Sequence, residues 1–523
     1  MPQPSPAPFN IADEFVSRPA REHPGRHAIL GVERQATYAQ LASEVSRVAH
    51  ALRDSNCQPG DRVLIVLPDS IEFIAAFFGA AKIGAIAVPV NSMARAADYR
   101  HYLSNSGARI AIVHHSALPE FLSGIEWLSL DRLVMAGGEG RKPENTSRAF
   151  TPWADWIPAR SSDVETFPTT LNDPAFFLYT SGSGGSPKAA VHRHEDMLAT
   201  SRGFAQGVLG LRSDDRTFSV SKLFFAYGLG NGMYFPFAVG ASTILDPDRP
   251  SPLRVTEIID RHRPTVFFSV PTFYASLLRE EEKGLRVDFS SVRLAVSAGE
   301  SLPEEIFLRF RDRFGLEIID GIGSTEMLHM FLSSRPGAAR PGSCGREVPG
   351  YEARLLDDAG NAVAPGDIGN LWVKGASALA EYWRIPELTA RTKQDGWVLT
   401  GDKFTRDAEG YYRYCGRADD MMKVSGMWVS PGEVENALLA YPAVAEAAVV
   451  GATDEMGITR TIAFVVLRSG VTQPAGGLDS EIHAWLRTRL VGYKCPHDIR
   501  FVAELPKTAT GKIQRFRLRS SGA

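Results

Sequence analysis

Short apolar runs alternate with longer amphipathic stretches along much of the chain, a pattern that predicts alternating strands and helices. Residues 63–67, VLIVL, form one such run, and the following Pro-Asp-Ser supplies a turn and an N-cap for a helix starting near Ile71. The stretch 71–90 is the nearest thing to a membrane span. Glu72 and Lys82 interrupt it, and Gly84 and Pro89 suit a helix-to-strand turn, so a buried helix followed by a buried strand is expected. Residues 292–297 read as a strand and Ser301-Leu-Pro-Glu304 as a capping box. The helix after it should run to Phe314 and stop at Gly315, with 316–320 as the next strand. One helix between two apolar strands is a βαβ unit, so these strands should be parallel. Ligands of open parallel sheets bind beyond the carboxyl ends of the strands. Two loops fall there, 297–301 (SAGES) and 321–326 (GIGSTE), each with a glutamate.

Beyond about residue 340 the texture changes. Glycine and proline become frequent and short strands are expected at 351–356, 369–374, 397–400 and 411–414, a small antiparallel subdomain. From about 419 a compact α+β unit follows, with a second capping box at 430–433 (SPGE), strands at 444–450 and 461–467, and a helix at 479–490. The expected fold class is therefore α/β. A large N-terminal domain (1–418) holds parallel-type sheets with helices and, at about 340–418, the small β subdomain; an α+β C-terminal domain spans 419–523.

Length supports this division, since 523 residues exceed what one hydrophobic core organises. A net charge of −3 gives no sign of a nucleic-acid or anionic-membrane partner. The first residues, MPQPSPAP, lack the basic and apolar regions of a secretory signal. The four cysteines (57, 344, 415, 495) are scattered without metal-ligand spacing, which suggests reduced thiols in a cytoplasmic protein.

Candidate chemistry begins at residues 179–188, YTSGSGGSPK, where three glycines and four aliphatic hydroxyls precede Lys188. Glycine lets backbone N–H groups curl closely round an anion, and lysine suits phosphate; a solvated Gly/Ser turn has the same composition. No Walker A spacing, GxxxxGK[ST], occurs anywhere in the chain. The order of further motifs decides. With GSTE at 323–326, WVLTGD at 397–402, GRADD at 416–420 and PKTATGK at 506–512, the chain resembles the adenylate-forming superfamily of acyl-CoA synthetases, peptide-synthetase adenylation domains and luciferases over nearly its full length.

That resemblance implies a two-step reaction using ATP, Mg²⁺ and coenzyme A. A carboxylate first displaces pyrophosphate from the α-phosphate of ATP; a thiol then displaces AMP from the mixed anhydride. It assigns Thr180, Ser181, Gly182, Ser183, Gly185 and Lys188 to the phosphate loop and Glu326 to catalysis and the metal. Gly299, Glu300, Asp320, Gly321, Ile322 and Thr325 would border the nucleotide, with Asp402 on the ribose hydroxyls and Arg417 opposite. Lys512 would bridge the acid's carboxylate and the α-phosphate, and the C-terminal domain would then turn about Asp419. That turn withdraws Lys512 and presents Lys423, Ser425, Gly426 and Trp428 to coenzyme A. A thiol of pKa roughly 8.5 needs little base catalysis once water is excluded.

The stretch 224–231, FFAYGLGN, with MLHM at 327–330, most resembles benzoate-CoA ligases and related aryl-CoA ligases. Ala226, Tyr227, Gly323, His329 and Met330 would then line a flat pocket for a small aromatic acid; the bland alternative for 224–231 is an apolar core loop. His329 suits either a hydrogen bond near the carboxylate or a structural role. Two positions depart from the superfamily's pattern: Gly184 stands where threonine is usual, and Ile322 where an aromatic packs on adenine. Two other functions fit parts of the pattern: a free-standing adenylation enzyme loading a carrier protein, and a nucleotide-binding regulator without catalysis.

Overall fold

The structure, a computed structural model, describes every residue except 1–6, 126–129, 139–149, 158–163, 181–185, 419, 425–426, 454–458, 469–470, 472–476, 508–512 and 521–523. Two large mixed sheets dominate. In the first, the strands Arg62–Val66, Ile86–Pro89, Ile110–His114 and Arg132–Ala136 run parallel, with Pro174–Thr180 beside Ile86–Pro89 and Lys188–Arg193 antiparallel to it. In the second, Leu294–Ser297 lies between Val266–Ser269 and Ile318–Gly323, all parallel, and Met330–Ser333 returns antiparallel along Ile318–Gly323.

The apolar stretch after Ser70 forms the expected helix, Ile71–Lys82, followed by the strand Ile86–Pro89. Ser70 caps it by accepting the Phe73 N–H. Every residue from Phe73 to Lys82 is buried, which explains why this helix is apolar nearly all round. It packs on the helix Tyr38–Asp54, where Gly79 faces Val48 so closely that a Cβ would lie 2.8 Å from a valine methyl. One continuous core joins these helices to both sheets. Among the described residues no helix is long and apolar enough to cross a membrane.

The βαβ unit is present, with Ala295, Val296 and Ser297 in parallel register with Ile318, Ile319 and Asp320. Its helix starts later than the capping box implies. Pro303 is the N-cap, in extended conformation, and the helix runs Glu304–Phe314, ending on a left-handed Gly315. The cause is local: a box on Ser301 would need Leu302 to be helical directly before a proline, which proline's ring disfavours. At 430–433 the proline follows the N-cap itself. There Ser430 accepts the Glu433 N–H and the helix Pro431–Leu439 begins as expected.

The short strands after 340 form an antiparallel sheet in which Gly369–Gly375 lies between Tyr351–Leu356 and Trp397–Arg406, with Tyr412–Arg417 along the far side of the latter. The last sheet pairs Val444–Thr453 antiparallel with Thr459–Leu467, and Asp498–Phe501 runs parallel beside it. Its core, built on Val449, Val465, Ile482 and Leu486, is separate from the core of the large sheets. All four cysteines are unpaired and buried.

Candidate active site

Three strand ends converge. The hairpin of Pro174–Thr180 and Lys188–Arg193 places Thr180 and Lys188 opposite each other, both half-buried, on either side of the glycine-rich loop. Ser181, Gly182, Ser183 and Gly185 lie outside the described residues, as does Gly184. Strand Ile318–Gly323 then delivers the GSTE turn. Ser324 caps it by accepting the Met327 N–H, and a single 3₁₀ turn, Thr325–Met327, carries Glu326.

Glu326 is held by its neighbours. The Tyr382 hydroxyl donates to its Oε1 at 2.7 Å, and the Leu379 N–H donates to its main-chain carbonyl at 2.7 Å. Burial, with the Glu326 carboxylate beside it, holds the Tyr382 phenol well above its ordinary range, so that hydroxyl stays a donor. Oε2 has no partner among the described residues. No group of three or more His, Cys, Asp or Glu that could hold a metal occurs among them. A single carboxylate with one open oxygen fits Mg²⁺, which keeps water and substrate phosphate oxygens as its main ligands.

Asp402 sits on strand Trp397–Arg406 directly opposite Arg417. The guanidinium donates to Asp402 Oδ1 at 3.1 Å and to the Thr400 carbonyl at 2.9 Å. Burial pushes the Asp402 carboxyl up to about 6 against the pull of Arg417, and the Glu326 carboxylate adds to the rise. The two acidic groups therefore stand within each other's field, though 76 positions separate them in the chain. Asp320, the third residue of strand Ile318–Gly323, is driven well above the usual carboxylate range by burial, against the influence of Ser297 and the Gly321 N–H. Gly299 takes a positive φ of 91°, and Glu300 beside it is half-buried. Gly321 and Ile322 pair with Ser333 and Leu332.

An aromatic cage lies next to this turn. Ala226 and Tyr227 begin a short helix, and the Tyr227 hydroxyl donates to the carbonyls of Ser269 (3.3 Å) and Val296 (3.4 Å). His329 is enclosed by Phe235, Phe204 and Tyr227, with ring centroids 4.5, 5.2 and 5.4 Å away. Its Nε2 faces two acceptors, Asn231 Oδ1 at 3.2 Å and the Tyr227 carbonyl at 3.3 Å, so that nitrogen carries the proton. Burial pushes the imidazole down to about 3, which leaves it neutral, and its buried Nδ1 has no hydrogen-bond partner among the described residues. Gly323 and Met330 are register partners across the same hairpin.

On the C-terminal side, Lys423 and Trp428 are register partners in a two-stranded hairpin, Met422–Val424 with Met427–Val429. A bridge between Lys507 and Ile513 brackets the segment that carries Lys512. Lys512, Asp419, Ser425 and Gly426 themselves lie outside the described residues. The structure thus brings Glu326, Asp402 and Arg417 within one another's field, pairs Thr180 with Lys188, and packs Tyr227 against His329, with the Asp320 carboxylate near enough to act on the Tyr227 phenol. Sequence reasoning missed Tyr382 and Phe235, and named Asn231 in the 224–231 stretch without giving it a role. It also missed His192, whose one signal was a histidine directly after the apolar Ala189-Ala190-Val191 of its strand.

Two large α/β sheets, a glycine-rich hairpin loop, an acidic turn and an opposed aspartate–arginine pair define a nucleotide-using enzyme in which a carboxylic acid and ATP can meet. The chain belongs to the AMP-binding enzyme family, whose model matches residues 16–383, with the family's C-terminal domain matching residues 433–512. It is 44% identical over 525 residues to a benzoate–CoA ligase of Thauera aromatica, covering 99% of this chain and 97% of that one. A solved anthranilate CoA ligase in complex with anthranoyl-AMP is similar with a TM-score of 0.92 and 39% identity, covering 99% and 98% of the two chains. A benzoate CoA ligase from Burkholderia xenovorans LB400 gives 0.90 and 41%, covering 98% and 100%.

Proposed function

We propose that this protein is an AMP-forming aryl-CoA ligase, with benzoate or a close small aromatic acid as substrate. The observation that carries this reading is the spacing on one hairpin: Glu326 and His329 lie three positions apart, so the acidic turn and the aromatic cage are adjacent. A flat ring seated against Tyr227, His329 and Met330 would direct its carboxylate towards the phosphate loop. The neutral imidazole and phenol add no charge that would hold the ring's carboxylate back in the pocket.

In this reading Thr180 and Lys188 flank the triphosphate, and Asp402 accepts from the ribose hydroxyls while Arg417 fixes it from the opposite strand. Mg²⁺, when bound through Glu326, supplies charge neutralisation on the phosphoryl oxygens. The carboxylate oxygen attacks the α-phosphorus in line, its bond to phosphorus forming as the bond to pyrophosphate breaks. Lys512 stabilises the charge shared between the acid and the α-phosphate. The coenzyme A thiolate then adds to the acyl carbon and AMP leaves with the electron pair of the broken C–O bond. We infer two working units, 1–418 and 419–523, turning about Asp419 between the steps.

Isotope exchange between pyrophosphate and ATP, assayed over a panel of benzoates, phenylacetate, cinnamate and short fatty acids, tests the reading. Exchange should depend on an aromatic acid and be fastest with benzoate-sized rings; a preference for alkyl acids would remove the aryl assignment.

A further inference from the structure

A buried polar network behind the Glu326 turn plays no part in the chemistry so far described. His192, the fifth residue of strand Lys188–Arg193, is fully buried. Its Nε2 lies 2.8 Å from the Thr325 carbonyl and its Nδ1 2.8 Å from Asp196 Oδ2, and both side chains are 0% exposed. The ring is stacked on Phe176 at 5.1 Å with planes 18° apart, so it cannot turn away from either partner. Thr325 offers only a carbonyl oxygen at this contact, so Nε2 carries the proton there. Asp196 is itself fixed, accepting the Arg193 N–H at 3.1 Å and pairing with its guanidinium at 3.2 Å. That guanidinium also donates to the Ala376 carbonyl at 2.7 Å.

The target of this network is specific. Three successive carbonyls of the acidic turn are each claimed by a different segment: Thr325 by His192, Glu326 by the Leu379 N–H, and Met327 by the Ser377 hydroxyl at 2.7 Å. A lone 3₁₀ turn has too few internal hydrogen bonds to hold a carboxylate still. Leu328 follows at a φ of 65°, a conformation that surrounding contacts must impose. His192 stands four residues after Lys188, so it ties the strand leaving the phosphate loop to the turn carrying Glu326.

We propose that His192 is a positioning residue for adenylation, setting the place of Glu326 relative to the phosphate loop through the Thr325 carbonyl. The assignment rests on the ligase reading, in which Glu326 serves the Mg²⁺–ATP complex. Groups that orient a metal-side ligand typically change metal affinity or activity by about 10–100-fold when removed.

The test compares full-length His192→Gln, whose side-chain amide reaches the place of Nε2, with His192→Asn, whose amide stops near Nδ1. Three quantities are measured: Mn²⁺ affinity by electron paramagnetic resonance with α,β-methylene-ATP, the Mg²⁺ concentration at half-maximal pyrophosphate exchange, and thioester formation from supplied benzoyl-AMP. His192→Asn should weaken Mn²⁺ binding and raise the Mg²⁺ requirement by about 10–100-fold. It should leave the thioester step near wild type, and His192→Gln should restore most of the loss. Equal Mn²⁺ affinity in both variants and wild type, or parallel losses in both half-reactions, would overturn the assignment. A wild-type protein with no acid-dependent exchange would overturn the ligase reading and, with it, this role for His192.

Discussion

Asp402 is subject to two opposed influences, burial raising its pKa to about 6 and Arg417 at 3.1 Å lowering it. In the proposed ribose contact, the two hydroxyls would need both carboxylate oxygens as acceptors, and protonation takes one of them away. The KM for ATP should therefore climb as pH falls below about 6, by up to about tenfold per pH unit, and Asp402→Asn should flatten that rise while weakening ATP at neutral pH. A KM profile from pH 5 to 8 for both proteins checks this. Without nucleotide the sign reverses. The folded chain keeps a proton that the unfolded chain loses between 3.8 and about 6. Stability should then fall as pH rises through that window, by roughly 3 kcal/mol relative to Asp402→Asn at full expression. Urea midpoints of the two proteins at pH 4 and 7 give the comparison. His329, pushed down to about 3, should add no inflection to the pH profile between 5 and 8.

At the level of elements, the antiparallel return from Ile318–Gly323 to Met330–Ser333 would set the depth of the proposed acyl pocket. A Cβ on Gly323 would lie 2.5 Å from the His329 carbonyl oxygen and 2.8 Å from the Met330 nitrogen, both backbone atoms that cannot swing aside. Gly323→Ala should thus cost about 1–3 kcal/mol and raise the KM for the acid more than that for ATP. Steady-state kinetics with each substrate varied in turn would show it, and equal effects on both would argue against the pocket. Ser430, which caps its helix, and Ser301, which does not, make a paired test. Ser430→Ala should lower stability by about 1 kcal/mol, because Ser430 accepts the Glu433 N–H and donates to the Cys415 carbonyl. Ser301→Ala, ahead of a helix capped by Pro303, should leave the thermal midpoint unchanged.

This contrast shows what was legible in the sequence. The helix after Ser70, the parallel βαβ unit and the antiparallel strands after 340 follow from local periodicity and turn residues, so they could be read directly. The Ser301 box could not, because the proline two residues on overrides it. Strand Glu381–Tyr382, which joins the first large sheet beside Val191 and brings Tyr382 to Glu326, depends on a pairing of Glu381 with Val191, 190 positions apart in the chain, that no local pattern records. His192 escaped notice for the same reason: its partner at Thr325 lies 133 positions away.

At the scale of the whole molecule, the C-terminal sheet meets the helix Pro271–Glu282 through Arg279, which donates to Glu446 at 3.2 Å, while Lys507 pairs with Glu446 at 2.7 Å. In the proposed alternation between two poses, such contacts would break as the unit turns. Lys512→Ala should abolish adenylation and largely spare thioester formation from supplied benzoyl-AMP; equal loss in both would contradict two alternating poses. The most direct measurement gives the protein benzoate, Mg²⁺–ATP and coenzyme A, and quantifies benzoyl-CoA, AMP and pyrophosphate together. The account predicts that the three appear in equal amounts, and that none forms when the acid is withheld. Release of ADP, or pyrophosphate release with coenzyme A left unconsumed, would contradict it.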